Sequence, residues 1–271
     1  MLKLLAHGVK LAALVGILVS SPALAQPPPI RIMPLGDSIT YGSSVAGGYR
    51  LPLYVALTNA GYNVDFIGTQ AGNSDPGLGT EVNHEGHGGW KISDPNIGLY
   101  EKMYGWFEQI QDPHVVLIHI GTNDSGGGDL FTNAYVRLEA LVDRIATCQP
   151  SAKIILTTLL KRTSNYAAIT NYFNPRVPEV VAHQQSLGHT NVVFLDMHAY
   201  LELTDLADGV HPNAGGYIKM GNAWFPSITN VISPGVVANQ PAPLRGLGVS
   251  SNRTTATVSF NKALSPDTAT N

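Results

Sequence analysis

Cysteine is almost missing from this chain of 271 residues, in which Cys148 is the only one. A single cysteine excludes any disulfide within the chain. Stability must therefore come from a buried core, which a domain of about 200 residues can supply. Cys148 ends a helical pattern, and nothing around it marks it as activated, so we interpret it as a structural thiol.

Charge is scarce as well. Asp, Glu, Lys and Arg together make up 13% of the chain, and the net charge is -3. A protein that binds nucleic acid usually carries a basic stripe, so we expect no nucleic-acid partner. Hydrophobic residues make up 44% of the chain, which favours a globular core over disorder.

The apolar stretch near the N-terminus is too short, and wrongly flanked, for a membrane-spanning helix. Lys3 and Lys10 form a positive region before the apolar run "LAALVGILVS", and "ALA" at residues 23–25 has the small-x-small form of a cleavage site. The pattern predicts a signal peptide over residues 1–25, export to the periplasm or the cell exterior, and no stable membrane insertion after cleavage. An uncleaved membrane anchor is the alternative.

Short apolar runs alternate with helical patterns over the middle of the chain. The runs are continuous rather than alternating, as in strands that are covered on both faces. We predict strands at 30–35, 64–68, 114–120, 153–159 and 191–196. We predict helices at 51–60, 96–111, 130–148, 175–187 and from Pro212, as first helical residue, to about Thr229. This alternation indicates an α/β fold with one parallel sheet, and ligands bind beyond the carboxyl ends of such strands.

The C-terminal part has a different composition. Residues 233–243 are rich in Pro, Gly and Ala and are predicted to be a linker after a domain over 26–232. In residues 244–271, "TTATVSF" alternates like a β-strand and resembles the opening of an immunoglobulin-like module. One strand cannot fold alone, so this region is either the start of a truncated module or a disordered tail.

Three polar, glycine-containing loops follow predicted strands: "GDSITYGSS" at 36–44, "GTNDSGGGD" at 121–129 and "DGVHPNAGGY" at 208–217. Serine is a weak nucleophile that needs a base, and the base needs an orienting carboxylate. Ser38, His211 and Asp208 are residues of these three types. Strand order 2-1-3-4-5 would place Ser38 beside Asn123, whose amide could stabilise an oxyanion. The glycine-rich "HEGHGGW" at 84–90 could add a backbone N–H donor.

The stretches "GDSIT", "HGGW", "GTND" and "DGVHPN" occur in that order. Together they resemble the four signature blocks of the SGNH hydrolases, the GDSL-type esterases, over roughly residues 30–230. "IMPLGDSITYG", "EGHGGW" and "HIGTND" look closer to carbohydrate-esterase family 3-like acetylxylan esterases. The resemblance implies a three-layer α/β/α flavodoxin-like fold with a five-stranded parallel sheet of order 2-1-3-4-5. It also implies a Ser-His-Asp mechanism without metal or cofactor.

The resemblance implies a role for each matching residue. Ser38 would be the nucleophile, His211 the general base and Asp208 the acid that orients it. Ser38, Gly89 and Asn123 would supply the oxyanion hole, with Gly88 as the alternative to Gly89.

Several residues have simpler interpretations. Asp205 could replace Asp208. Asp37 and Asp124 fit structural roles within their loops. His119 lies in an apolar strand and is predicted to be a hydrogen-bonded core residue. Neither G-x-G-x-x-G nor a P-loop follows a strand, which disfavours nucleotide binding.

Two further groups of residues have more than one possible role. His84, Glu85 and His87 have no strong metal spacing, so we expect no metal site there. Trp90 and Tyr49 could stack on sugar rings or pack the loops.

The prediction is a secreted serine esterase acting on an acetylated polysaccharide such as acetylxylan, or on another small acyl ester. A short-chain lipase, a thioesterase or a general esterase on the same site is the alternative. A non-catalytic carbohydrate-binding module is the alternative from another class.

Overall fold

The computed structural model describes residues 28–125 and 133–233, together with the strand residues 248–251 and 256–259. The predicted signal peptide and most of the predicted linker lie outside these residues. Within the described part of the chain, no helix is both long enough and apolar enough to cross a membrane.

The strands of the main sheet lie close to the predicted runs. They are β1 (Ile30–Gly36), β2 (Val64–Phe66), β3 (Glu85–Gly86), β4 (Val115–His119), β5 (Lys153–Thr157) and β6 (Val192–Leu195). Their order is β2-β1-β4-β5-β6, with β3 paired to β1, and every pairing is parallel. The α/β class is confirmed. Six strands rather than five form the sheet of the described residues, because two residues of the "HEGHGGW" stretch pair with the end of β1.

The main helices are α1 (Ser38–Tyr41), α2 (Arg50–Asn59), α3 (Leu99–Gln109), α4 (Ala134–Cys148), α5 (Arg176–Ser186) and α6 (Ala214–Thr229). The last five follow the predicted patterns closely, whereas α1 and a short helical segment before α5, formed by Tyr166–Ala168 and Ile169–Phe173, were not predicted. Pro212 is not the first residue of α6, contrary to the prediction. Asn213 caps this helix instead, and its side chain accepts a hydrogen bond from the N–H of Gly216.

The hydrophobic core has two halves, one on each face of the sheet. Alternate residues of β4 point to opposite faces, so Val116 and Ile118 join one half while Val115 and Leu117 join the other. Residues of α3, α4 and α5 cover the first face, and residues of α2 and α6 cover the second. This three-layer arrangement explains why the strands read as continuous apolar runs.

The C-terminal region contains one described pair of strands. β7 (Gly248–Ser251) and β8 (Ala256–Ser259) are antiparallel. β8 lies inside the predicted "TTATVSF" strand. The immunoglobulin-like module stays a prediction.

Candidate active site

Ser38 lies where β1 ends and α1 begins. The preceding Asp37 caps α1, and its Oδ1 accepts a hydrogen bond from the N–H of Ile39 at 2.9 Å. The helix ends after one turn at Gly42, whose φ of 94° is in the left-handed region that favours glycine. Ser38 is only 9% exposed, so the nucleophile candidate is nearly buried at the carboxyl end of the sheet.

Ser38, His211 and Asp208 form one hydrogen-bonded chain. Ser38 Oγ lies 2.8 Å from His211 Nε2, and His211 Nδ1 lies 2.7 Å from Asp208 Oδ2. If the Nδ1–H donates to the carboxylate, Nε2 is free to accept the serine proton. Asp208 Oδ1 also accepts from the N–H groups of Val210 and His211, which fixes the carboxylate. A hydroxyl, an imidazole and a carboxylate in this order can activate the hydroxyl as a nucleophile.

The pKa of Asp208 fits an ionised carboxylate. Burial would raise it, but the hydrogen bond with the His211 ring and those from the N–H groups of His211 and Val210 outweigh burial and lower the pKa to about 2. Asp205, the alternative orienting residue, makes different contacts. Both of its carboxylate oxygens bind Lys219 Nζ, at 2.8 and 2.7 Å, and one accepts from the N–H of Glu202. The Asp205 carboxylate therefore binds a side chain of α6 and does not orient His211.

A hydrogen bond from α6 holds the two halves of the site together. His211 lies shortly before this helix, which begins at Ala214, and the Tyr217 hydroxyl donates to the carbonyl of Ser43 at 2.9 Å. Ser43 belongs to the loop that follows α1. Residues more than 170 positions apart can meet because α6 packs against the Ser38 loop.

Gly88 and Gly89 form the tip of a turn that is tied to the end of β1. The N–H of His87 donates to the carbonyl of Gly36 at 3.0 Å, and the N–H of Trp90 donates back to the carbonyl of His87 at 3.2 Å. Gly89 has a φ of 80°, as the third residue of a type II turn requires. A Cβ atom at Gly89 would meet nothing within 4 Å, so backbone conformation rather than space favours glycine here.

Asn123 lies in a short 3₁₀ helix, Thr122–Ser125, just beyond β4. Its Nδ2 donates to the carbonyl of Trp90 at 2.8 Å. This hydrogen bond fixes the side-chain amide, and the Nδ2 atom has no other partner among the described residues. Sequence analysis predicted that Asn123 lies near Ser38, but it gave no signal for the carbonyl that orients the amide.

Asp124 has a structural role, but not the one predicted. Instead of bonding its own loop, the carboxylate accepts from the N–H of Ile92 at 3.0 Å and from Arg137 at 3.1 Å. It thereby ties the Asn123 loop to the chain that follows Trp90. Burial raises the pKa of Asp124 despite these partners.

Arg162 is a residue of this region that sequence analysis missed. Its guanidinium donates to the carbonyl of Thr122 at 2.9 Å, next to Asn123. The neighbouring Thr163 donates its N–H to the carbonyl of Gly209 at 2.9 Å, next to Asp208. The loop after β5 thus touches both the Asn123 loop and the His211 loop. No local motif marks it, because its position depends on contacts distant in sequence.

The two aromatic candidates lie in different environments. Trp90 is half-buried beside Asn123, so it remains a candidate to contact a substrate. Tyr49 is fully buried, and its ring packs 5.8 Å from the ring of Trp224. Burial raises the pKa of its hydroxyl. Tyr49 therefore belongs to the core and presents no ring face to a sugar.

His84, Glu85 and His87 are engaged with protein partners. His84 Nε2 lies 2.9 Å from the carbonyl of Gly72, and its Nδ1 accepts from the N–H of Gly86 at 2.9 Å. Glu85 pairs with His87 at 2.7 Å. Among the described residues, no group of three or more His, Cys, Asp or Glu side chains is placed to hold a metal ion.

His119 is buried as predicted, but the prediction that it is hydrogen-bonded was wrong for the described part of the chain. Neither ring nitrogen has a hydrogen-bond partner there. Burial lowers the pKa of the ring, so it is kept neutral.

Comparison with known proteins assigns the family. The model of the GDSL-like Lipase/Acylhydrolase family matches residues 35–218. A multidomain esterase from Ruminococcus flavefaciens is 36% identical over 236 residues, which are 78% of this chain and 30% of that protein. The chain therefore belongs to this family of carboxylic ester hydrolases. It spans about 30% of the length of the multidomain relative that it matches.

Solved structures show which esterases of this family the chain resembles. A family 3 carbohydrate esterase from Clostridium thermocellum has 31% identity and a TM-score of 0.64, covering 75% of this chain and 97% of that one. A family 3 carbohydrate esterase from Talaromyces cellulolyticus has 26% identity and a TM-score of 0.62, covering 74% and 97%. The resemblance to family 3 carbohydrate esterases and the α/β class that it implied are confirmed, while the sheet of the described residues has six strands instead of five.

Proposed function

We propose that this protein is a secreted serine esterase that removes acetyl groups from a polysaccharide such as acetylxylan. The observation that carries the proposal is the chain of hydrogen bonds from Ser38 through His211 to Asp208, with contacts of 2.8 and 2.7 Å. A buried hydroxyl, an imidazole and an ionised carboxylate in line are the parts of a Ser-His-Asp mechanism. The similarity to carbohydrate esterases supports a sugar ester as substrate.

In the acylation step, Ser38 Oγ attacks the ester carbonyl carbon while its proton moves to His211 Nε2. Asp208 stabilises the imidazolium that forms. The negative charge on the carbonyl oxygen is met by the N–H of Ser38, the N–H of Gly89 and the amide of Asn123. The Ser38 N–H is suited to this role because the first N–H groups of a helix have no intrahelical acceptor.

Collapse of the intermediate breaks the bond to the sugar oxygen, and His211 gives its proton to that oxygen. The acetyl group remains on Ser38. A water then donates a proton to His211 and attacks the acetyl carbonyl. His211 returns this proton to Ser38 Oγ as the bond between Oγ and the acetyl carbon breaks, which releases acetate and restores the serine hydroxyl. No other group is needed for this sequence of proton transfers.

The exposed surface supports a small acyl group. The exposed large hydrophobic residues of the described chain lie outside the loops that hold Ser38, Gly89, Asn123 and His211. A long acyl chain would need an apolar surface near the nucleophile. The half-buried Trp90 offers a candidate surface for a sugar ring.

Replacement of the nucleophile tests the chemistry. Ser38→Ala should abolish hydrolysis of 4-nitrophenyl acetate with the fold intact. Ser186→Ala is the matched control, because among the described residues this exposed hydroxyl bonds only the carbonyl of His183 on α5. Wild-type turnover by Ser38→Ala would contradict the nucleophile assignment.

A substrate panel tests the specificity. Acetate release should be faster on acetylated xylan than on acetylated pectin, and a long-chain acyl ester should be a poor substrate. Preference for the long-chain ester would favour a lipase on the same site. Sugar binding without any ester hydrolysis would favour a binding module.

A further inference from the structure

Strand β3 connects the glycine turn to the nucleophile. Its two residues pair with the last two residues of β1, Leu35 with Glu85 and Gly36 with Gly86. The next residue, His87, donates its N–H to the carbonyl of Gly36. The backbone of the turn is therefore fixed at its start, and its far end at Trp90 is held by the N–H bond to the His87 carbonyl together with side-chain contacts.

Glu85 and His87 provide a buried anchor for those contacts. Glu85 is fully buried, and its carboxylate accepts from the N–H of Thr69 and pairs with His87 Nε2 at 2.7 Å. The His87 side chain is only 9% exposed. Loss of His87 would leave the buried Glu85 carboxylate without one of its two partners, which is strongly destabilising, so the ring of His87 is held in one orientation.

The fixed ring of His87 supports two tryptophans. It stacks on Trp90 with centroids 4.3 Å apart and on Trp106 of α3 with centroids 4.7 Å apart. Trp90 in turn presents the carbonyl that accepts from Asn123 Nδ2. An unbroken series of contacts thus leads from Glu85 through His87 and Trp90 to Asn123.

We propose that Glu85 and His87 are positioning residues for acyl transfer, which rests on the function proposed above. Their pair fixes the turn at residues 87–90 and, through it, two oxyanion donors: the Gly89 N–H and the Asn123 amide. Neither side chain touches the reacting atoms. They act on the transition state because an oxyanion donor works only when it is placed before the reaction.

His87→Ala tests the proposal through kinetics on 4-nitrophenyl acetate. It should lower kcat about 10- to 100-fold and leave KM within about twofold, because a misplaced oxyanion donor mainly loses transition-state binding. Glu85→Gln keeps the shape but removes the charge, and it should give a smaller loss of the same kind. If His87→Ala does not fold, this milder variant still tests the proposal.

A double-mutant cycle with Asn123→Ala separates positioning from general destabilisation. If His87 acts through the Trp90 carbonyl and Asn123, His87→Ala should cost at least threefold less in the Asn123→Ala background than in the wild type. An equal loss in both backgrounds would overturn the proposal. So would an unchanged kcat in a folded His87→Ala variant.

Tryptophan fluorescence gives a readout that does not depend on activity. The chain has three tryptophans, and two of them stack on His87. His87→Ala should shift the emission. His183→Ala, which breaks a partly exposed His–Glu pair with Glu139, should change neither emission nor kinetics. If the wild type shows no Ser38-dependent hydrolysis, the proposed function fails. If it does and the cycle is additive, only the positioning role fails.

Discussion

The loop that carries Ser38 and the loop that carries His211 are built in opposite ways. Asp37 and Thr40, on either side of Ser38, are fully buried. In the other loop, the side chains of Asp208 and His211 are 52% and 23% exposed. The nucleophile is thus embedded in the protein, while its base approaches from the surface.

The two loops are also stabilised differently. The Ser38 loop is tied from outside by Arg50, a fully buried residue whose guanidinium donates to the carbonyls of Val82, Tyr41, Gly72 and Asn73. The Asp208–His211 loop is held largely by hydrogen bonds within itself. Loss of the buried contacts that support the first loop should therefore cost stability, and changes to the Asp208 carboxylate in the second loop should cost activity alone.

Asp208→Asn should give the largest effect and should act on activity only. An asparagine amide would favour the wrong tautomer of His211, so kcat should fall on the order of 10⁴-fold. The thermal midpoint should change little, because the side chain is half exposed and an amide oxygen can still accept from the two backbone N–H groups. Steady-state kinetics and a melting curve measure both.

Asp205→Asn is the matched control, because Asp205 lies three residues away and binds Lys219 rather than His211. It should keep wild-type kcat. If Asp205→Asn lost activity and Asp208→Asn did not, the orienting role would belong to Asp205.

Arg50→Met should have the reverse effect. It leaves the partly buried carbonyl of Val82 without the guanidinium donor and removes three further hydrogen bonds, which should lower the free energy of unfolding by about 3 kcal/mol. The kcat of the folded fraction should change little, since Arg50 bonds only backbone around the site. Urea unfolding measures the loss.

Arg176→Met provides the surface comparison. Arg176 pairs with Glu179, and both side chains are about half exposed or more, so its loss should cost less than about 1 kcal/mol. Equal losses for the two variants would show that Arg50 is not a special support of the Ser38 loop.

The contrast between buried and exposed segments also explains which elements of the fold could be predicted from the sequence. The strands were predictable because burial on both faces produces continuous apolar runs, as in β4. Motifs after β1 and β4 predicted the positions of Ser38 and Asn123, because the expected strand order makes these two strands neighbours. His211 was predicted from its chemistry with Asp208 and from the resemblance to the SGNH hydrolases.

Contacts between loops were not predictable from local patterns. The "HEGHGGW" stretch raised the question of metal, whereas in the structure Glu85 pairs with His87 and the ring stacks on Trp90. Tyr49 looked like a possible sugar platform, but its position opposite Trp224 in the core depends on how α2 and α6 pack. These outcomes are decided by partners distant in sequence.

Acid should lower the free energy of unfolding through His84. The effect should be smaller than that of Asp208→Asn on activity or of Arg50→Met on stability. Burial, together with the charge of Arg50, lowers the pKa of the His84 ring to about 3, against 6.5 in an unfolded chain. Below pH 6.5 the unfolded chain therefore binds a proton that the folded protein does not, so stability falls as pH falls towards 3.

His84→Gln isolates this contribution, because glutamine can donate to Gly72 and accept from Gly86 but does not titrate. The variant should lose about 2 kcal/mol less free energy of unfolding than the wild type between pH 7 and pH 5, measured by urea unfolding at each pH. His114 and His119, whose pKa values burial also lowers, are present in both proteins and cancel. An identical decline in both proteins would mean that His84 is protonated in the folded state. The region around His84 and Arg50 would then be more open to solvent than its contacts indicate.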